Sequence, residues 1–112
     1  MSAARSRRRE AKVAPVFAAL GDVTRLQLLT RLGDGEPRSI KALQEGFALT
    51  RQAVTKHLHV LRDAGLVERE RVGRESRFAL RPKAMRDAHL YLERASAQWD
   101  DAIDRLRDAV EG

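Results

Sequence analysis

One stretch constrains this chain more than any other: Thr50 to Leu66, TRQAVTKHLHVLRDAGL. It opens on a hydroxyl suited to an N-cap, contains no Gly or Pro through Ala64, and closes on Gly65, where a left-handed backbone meets no Cβ penalty. It reads as one helix. At about 100° per residue, Val54, Leu58 and Leu61 fall on one narrow apolar face, while Arg51, Gln52, Thr55, Lys56 and His59 gather on the other. Those polar types reach base edges and phosphates in a DNA major groove. An ordinary solvated face is the competing interpretation, and the helix alone does not choose between them.

The flanks do. Upstream, Ser39 caps a short helical turn with Ile40 and Leu43, and Gly46-Phe47-Ala48-Leu49 connects it tightly into Thr50, the spacing of a helix-turn-helix. Downstream, Leu66 to Val72 reads as a strand, Gly73-Arg74-Glu75-Ser76 as a turn, and Arg77 to Leu80 as the returning strand. Helix, turn, helix and basic hairpin together make a winged helix.

Three blocks then carry a family resemblance: Leu20 to Leu26 (LGDVTRL), Thr50 to Leu58, and Leu61 to Val67 (LRDAGLV). The chain resembles the ArsR/SmtB-type bacterial transcriptional repressors, in pattern rather than in one residue, over roughly residues 13 to 110. The expected fold is mainly α with a small β-hairpin: a winged helix-turn-helix of five helices plus wing. The resemblance implies a dimer through the first and last helices. It also implies a wing tip on the DNA backbone or minor groove, which points to Arg74 at the turn and Arg77 just after it. A solvated hairpin with weak cross-strand ion pairs is the plainer alternative for those arginines.

Charge placement supports a polyanion-binding face. Of the net +6, residues 1–12 contribute +4, 13–50 nothing, 51–81 another +4 and 82–112 −2. Phosphate contacts supply most sequence-independent affinity, so the excess on the recognition helix and wing is informative. Residues 1–12 hold too little apolar surface to bury and are expected to form a flexible basic arm, either following phosphates or simply solubilising the chain. Residues 13–112 then form one winged-helix domain. No run approaches 18 apolar residues, so no membrane partner is expected. The short run from Val13 to Leu20 contains Pro15 and is closed by Gly21-Asp22, badly flanked for an export signal; a cytoplasmic location is expected.

Val13, Val16, Phe17 and Leu20 give a first helix one apolar stripe, and Asp22 caps a second with Leu26, Leu29 and Leu32. Arg25 matches an Arg of the family pattern and is expected to be structural first. His57, beside Ala53 and Val60, is expected to be a partly buried, hydrogen-bonded histidine rather than a ligand.

The last helix, from about Lys83 to Val110, carries a seven-residue repeat: Met85, Leu92, Trp99 and Leu106 recur, each followed three residues later by Ala88, Ala95, Ala102 and Ala109. So long a seam exceeds what so small a core can cover, and part of it is expected to face a second subunit. The expected dimer positions are Val13, Phe17, Met85, Leu92, Ala95, Trp99, Ile103 and Leu106.

Metal sensors exist in the resembled family, some with Asp-x-His on the last helix and further ligands beyond it. This chain has Asp87 and His89, but the later positions hold Asp100 and Ile103, and Ile cannot ligate. There is no cysteine, which removes every thiolate site. No metal and no cofactor is expected, placing the chain in a metal-independent branch with an unknown small-molecule inducer or none. An enzyme is disfavoured: there is no nucleophile elbow or Gly-rich phosphate loop. The expected function is sequence-specific binding of double-stranded DNA by a homodimeric repressor on an imperfect palindrome. Arg51 and Gln52 lead as base contacts, Thr55 and Lys56 follow, and His59 with Arg74 would hold phosphates. The alternative from another class is a winged-helix protein-interaction or architectural module without a specific operator.

Overall fold

The computed structural model describes residues 3–111. Along the chain come α1 (Ala3–Leu20), α2 (Val23–Arg31), β1 (Arg38–Ser39), α3 (Ile40–Gln44), α4 (Arg51–Asp63), β2 (Val67–Val72), β3 (Glu75–Leu80) and α5 (Pro82–Glu111). Five helices with a wing is the expected plan. The wing, however, is a three-stranded antiparallel sheet in the order β1-β3-β2 rather than a bare hairpin. Arg38 pairs with Phe78 and Ser39 with Arg77. A two-residue strand is too short for any alternation to show in sequence.

The starts of α2 to α5 each have a visible cause. Asp22, Ser39 and Thr50 all sit in extended backbone, and their side chains accept from the amides of Arg25, Ala42 and Ala53. These bonds satisfy amides that the first helical turn leaves without partners. Pro82 opens α5, where its missing N–H costs nothing. Gly65 ends α4 with φ +80, as its place in the sequence implied.

The core gathers between α2, α3, α4 and the sheet. Val54, Leu58 and Leu61 of α4 are all 0% exposed, joined by Leu28, Leu32, Leu43 and Phe78. The α2 stripe needs correction: Leu26 is 47% exposed, and Leu28 takes the central position beside Leu29 and Leu32. In a nine-residue helix one shift of face costs the 3.6-residue pattern nothing that sequence can register.

Two expectations at the ends of the chain also change. Residues 3–12, expected as a flexible arm, continue α1 as helix from Ala3. Ala, Arg, Lys and Glu dominate that stretch and all favour helix, and Ser6 donates to Glu10 one turn on. Residues 1 and 2 of that arm, and residue 112, lie outside the described residues. In the expected dimer set, Val13 is already buried within the chain, and Phe17 packs edge-on to Tyr91 of α5 at 6.0 Å between centroids. Of the α5 members of that set, Ala95 is half-buried and the others remain open, Trp99 most of all.

Candidate nucleic-acid interface

Thr50 fixes where α4 begins, and the helical period does the rest: with Val54, Leu58 and Leu61 inward, Arg51, Gln52 and Lys56 must face out. All three are exposed, and among the described residues their side chains make no hydrogen bond or ion pair. Three long donors at the start of a helix, uncommitted to their own protein, are a surface ready for an external acceptor. Thr55 is half-buried and its hydroxyl donates to the Arg51 carbonyl at 2.8 Å, so it keeps only acceptor capacity. His59 is half-buried farther along the same helix.

The angle between α3 and α4 is set by a residue the sequence did not flag. Arg31, at the end of α2, donates to the Leu43 carbonyl at 2.7 Å and to the Glu45 carbonyl, and lies 4.1 Å over the Phe47 ring. One guanidinium thus satisfies carbonyls at the end of α3 and grips the turn by cation–π contact. Gly46, at φ +81, lets the chain reverse here; a Cβ would also meet the Arg31 guanidinium at 3.3 Å. A visible cue existed in an Arg at the close of a short helix followed by a Gly-Phe turn, but the partners are far apart in sequence.

Arg25 does the same on the other side. Its Nε donates to the Ala19 carbonyl at 2.6 Å and Nη2 to Ala18 at 3.3 Å, while Nη1 meets His57 Nδ1 at 3.2 Å. It ties the end of α1 to the middle of α4. Arg25 is therefore structural, and His57 is the half-buried, hydrogen-bonded side chain that its position implied.

In the wing, Val72 pairs with Glu75 across Gly73-Arg74, with Gly73 at φ +64. Arg74 projects at the tip, exposed and without an internal partner among the described residues. Arg77 is different: it ion-pairs with Glu75 at 3.2 Å. Arg69 and Arg71 are exposed on β2, so the structure adds them to the cationic surface of the hairpin.

Comparison with known proteins fits this geometry. A family profile described as a helix-turn-helix domain matches residues 20–70. An uncharacterized HTH-type transcriptional regulator of Bacillus subtilis, YuzN, is 40% identical over 65 residues, covering 53% of this chain and 71% of that protein. The ArsR-like transcriptional regulator from Rhodococcus sp. RHA1 superposes with a TM-score of 0.75 at 39% identity, over 88% of this chain and 92% of that one. This chain belongs to the ArsR family of helix-turn-helix transcriptional regulators. It is a DNA-binding regulator and not an enzyme. The HTH-type transcriptional regulator NmtR of Mycobacterium tuberculosis is 39% identical over 70 residues, covering 62% of this chain and 58% of that protein. The chain is also similar to the homodimeric winged helix-turn-helix DNA-binding domain of Mb0332 from Mycobacterium bovis, with a TM-score of 0.66 at 25% identity over 88% and 91% of the two chains.

The Asp-x-His on this ArsR-family chain's last helix points two ways. Asp87 faces α1 and is held by Lys83 at 3.0 Å and Lys12 at 3.5 Å. The Lys83 bond, with Lys12 adding to it, holds the Asp87 carboxyl below the usual carboxylate range. His89 turns to solvent and meets Glu93 at 3.1 Å. Asp100 is exposed about three turns beyond His89. No group of three or more metal-ligating side chains converges among the described residues, and a carboxylate already neutralised by two lysines is a poor cation ligand. Within the single chain, Asp87 and His89 therefore do not converge on one point. No helix among the described residues is long and apolar enough to cross a membrane.

Proposed function

We propose that this chain is a homodimeric, metal-independent repressor that reads an imperfect palindrome in double-stranded DNA. The observation that carries the reading is the outward row of Arg51, Gln52 and Lys56 on a helix whose inward row is fully buried. Such a helix is held rigidly and presents donors of the types that bind guanine, adenine and phosphate. Arg51 and Gln52 lie nearest its N-terminus and take the base contacts; Lys56 and His59 follow the backbone, with Arg74 on the flanking backbone or minor groove. Thr55 and Arg77 contribute less, because each already has an internal partner.

A dimer places two such helices about 34–36 Å apart, in successive major grooves. Support for it comes from the apolar row Leu92, Trp99 and Leu106 on α5, which is 51%, 70% and 67% exposed in the single chain. The Mycobacterium bovis relative is homodimeric with the same fold. Metal independence is supported by the engagement of Asp87 with lysines and by a sequence without cysteine. The protein acts in the cytoplasm, where its operator is accessible.

The test is selection of bound sequences from random duplexes by purified protein, repeated after chelation and at two salt concentrations. A palindromic motif that survives the chelator is the expected result. A motif that disappears with the chelator overturns metal independence, and sequence-blind, salt-sensitive binding overturns the specific repressor in favour of an architectural role.

A further inference from the structure

Two hollows border α5, and they differ in kind. One, beneath the wing, has about 360 Å³ of room and an apolar floor of Leu66, Leu80, Pro82 and Met85. The other lies between α1 and α5, holds about 120 Å³, and is walled by cations: Arg9 and Lys12 from α1 and Arg94 from α5. Among the described residues, Arg9 and Arg94 make no hydrogen bond or ion pair. Tyr91 also lines this cleft; its ring packs on Phe17, and its hydroxyl has no hydrogen-bond partner among the described residues. The one acid in the lining, Asp87, is already held by Lys83 at 3.0 Å from outside the cleft.

We propose that this cleft is a binding site for a phosphate group, free or at the monoester end of a small molecule, gripped by Arg9, Lys12 and Arg94. Three cations against one acid leave a surplus of two positive charges in the lining. A phosphomonoester carries about −1.5 to −2 at pH 7 and offers three strong acceptor oxygens, so it matches that surplus. A diester of the DNA backbone carries one charge and matches it less well. Guanidiniums supply planar forks suited to phosphate, and the Tyr91 hydroxyl adds a neutral donor. The cleft has room for about four waters, well below the roughly 300–1,000 Å³ of sites that enclose a whole organic ligand. It holds the anionic group and leaves the remainder of the molecule in solvent.

The first half of α1 supplies a physical reason for such a site. Val13 is the first buried residue of that helix, and none of residues 3–12 is buried. Those residues bring Arg5, Arg7, Arg8, Arg9 and Lys12 into one short stretch with Glu10 as their only acid. Like charges gathered without a counterion repel, and a bound dianion turns the repulsion between Arg9 and Arg94 into a bridge between two helices. Phosphate therefore fastens the basic start of α1 to α5.

The test is a titration of the full chain with inorganic phosphate, replacing chloride at constant ionic strength and pH 7.5. The readout is the NMR signals of the arginine Nε–Hε groups and of the backbone amides. Saturable shifts are expected at Arg9, Lys12, Tyr91 and Arg94, with slower hydrogen exchange for the amides of residues 5–12. Shifts that rise linearly without saturating, or that spread equally over Arg7 and Arg8, show a diffuse ion atmosphere and overturn the proposal. Dimethyl phosphate separates the two sources of phosphate: it is expected to bind about ten-fold more weakly or less, and equal binding would give the cleft to a DNA backbone instead. The R9Q/R94Q variant should lose saturation. R7Q/R8Q removes the same charge from exposed positions outside the cleft and should retain it. Equal losses in both variants overturn the site, and the titration of the unsubstituted chain decides the matter if circular dichroism shows R9Q/R94Q to be misfolded.

Discussion

The guanidinium of Arg25 holds the imidazole of His57, Nη1 to Nδ1, at 3.2 Å. A guanidinium only donates, so Nδ1 is the acceptor in this contact. The same arginine caps carbonyls at the end of α1, and Asp22 lies 3.8 Å from the same ring nitrogen. The position of the recognition helix is thus anchored through polar atoms as well as through Leu58 and Leu61.

Arg25→Lys keeps the charge but loses the fork that reaches Ala18, Ala19 and His57 together. Bonds from charged donors are worth about 1.5–3 kcal/mol each, and a lysine recovers one of them at best. The expected result is a loss of about 2 kcal/mol in urea unfolding, with the base preferences of the surviving folded protein unchanged.

The acid limb of stability follows from three carboxylates held below their ordinary value of 3.8. For Asp22 the main cause is the amide of Arg25, and the charge of the Arg25 guanidinium adds to it. For Asp34 it is the amide of Glu36, and for Asp87 the Lys83 bond. A folded value below the unfolded one means stability that is complete above the ordinary carboxylate range and lost as pH falls through the folded values. Asp22→Asn keeps an oxygen for the cap, so it should leave the fold intact near neutrality while flattening the decline below about pH 4. Urea midpoints measured from pH 7 to pH 2 check this.

On the DNA face, Gln52 and Lys56 should fail in different ways. Gln52→Ala is expected to cost about 1–3 kcal/mol at one base position per half-site, visible as a degenerate column in the selected motif. Lys56→Ala should weaken all sequences alike and lower the salt slope by about one unit for each phosphate that the lysine no longer neutralises. An unchanged motif with Gln52→Ala would put the base contacts elsewhere on α4.

Trp99 is the only tryptophan and is 70% exposed in the single chain. Its emission should move to the blue as concentration drives association, and Trp99→Asp should hold the chain monomeric and reduce operator affinity at fixed protein concentration. Emission that does not change with concentration while light scattering reports a dimer would place Trp99 outside the interface.

The short-range features were legible because their causes are local. The caps at Asp22, Ser39 and Thr50 each need only a residue and the amide three positions on, and Val54, Leu58 and Leu61 needed only the helical period. Where the cause is not local, sequence was silent. Arg31 grips a turn more than ten residues away, and Arg25 finds His57 across 32 positions. Leu26 and Leu28 exchange places because the direction of the core is not written in α2 alone.

By itself, then, the sequence determined the number and limits of most helices, the outward row on α4 and the heptad seam of α5, because periodicity and capping act within a few residues. Only the tertiary structure decided that β1 joins the wing, that Asp87 is also held by Lys12, and that an apolar groove stays open beneath the wing. Each of these depends on which surfaces the folded chain brings face to face, and that is settled by packing the whole core at once rather than by any one stretch.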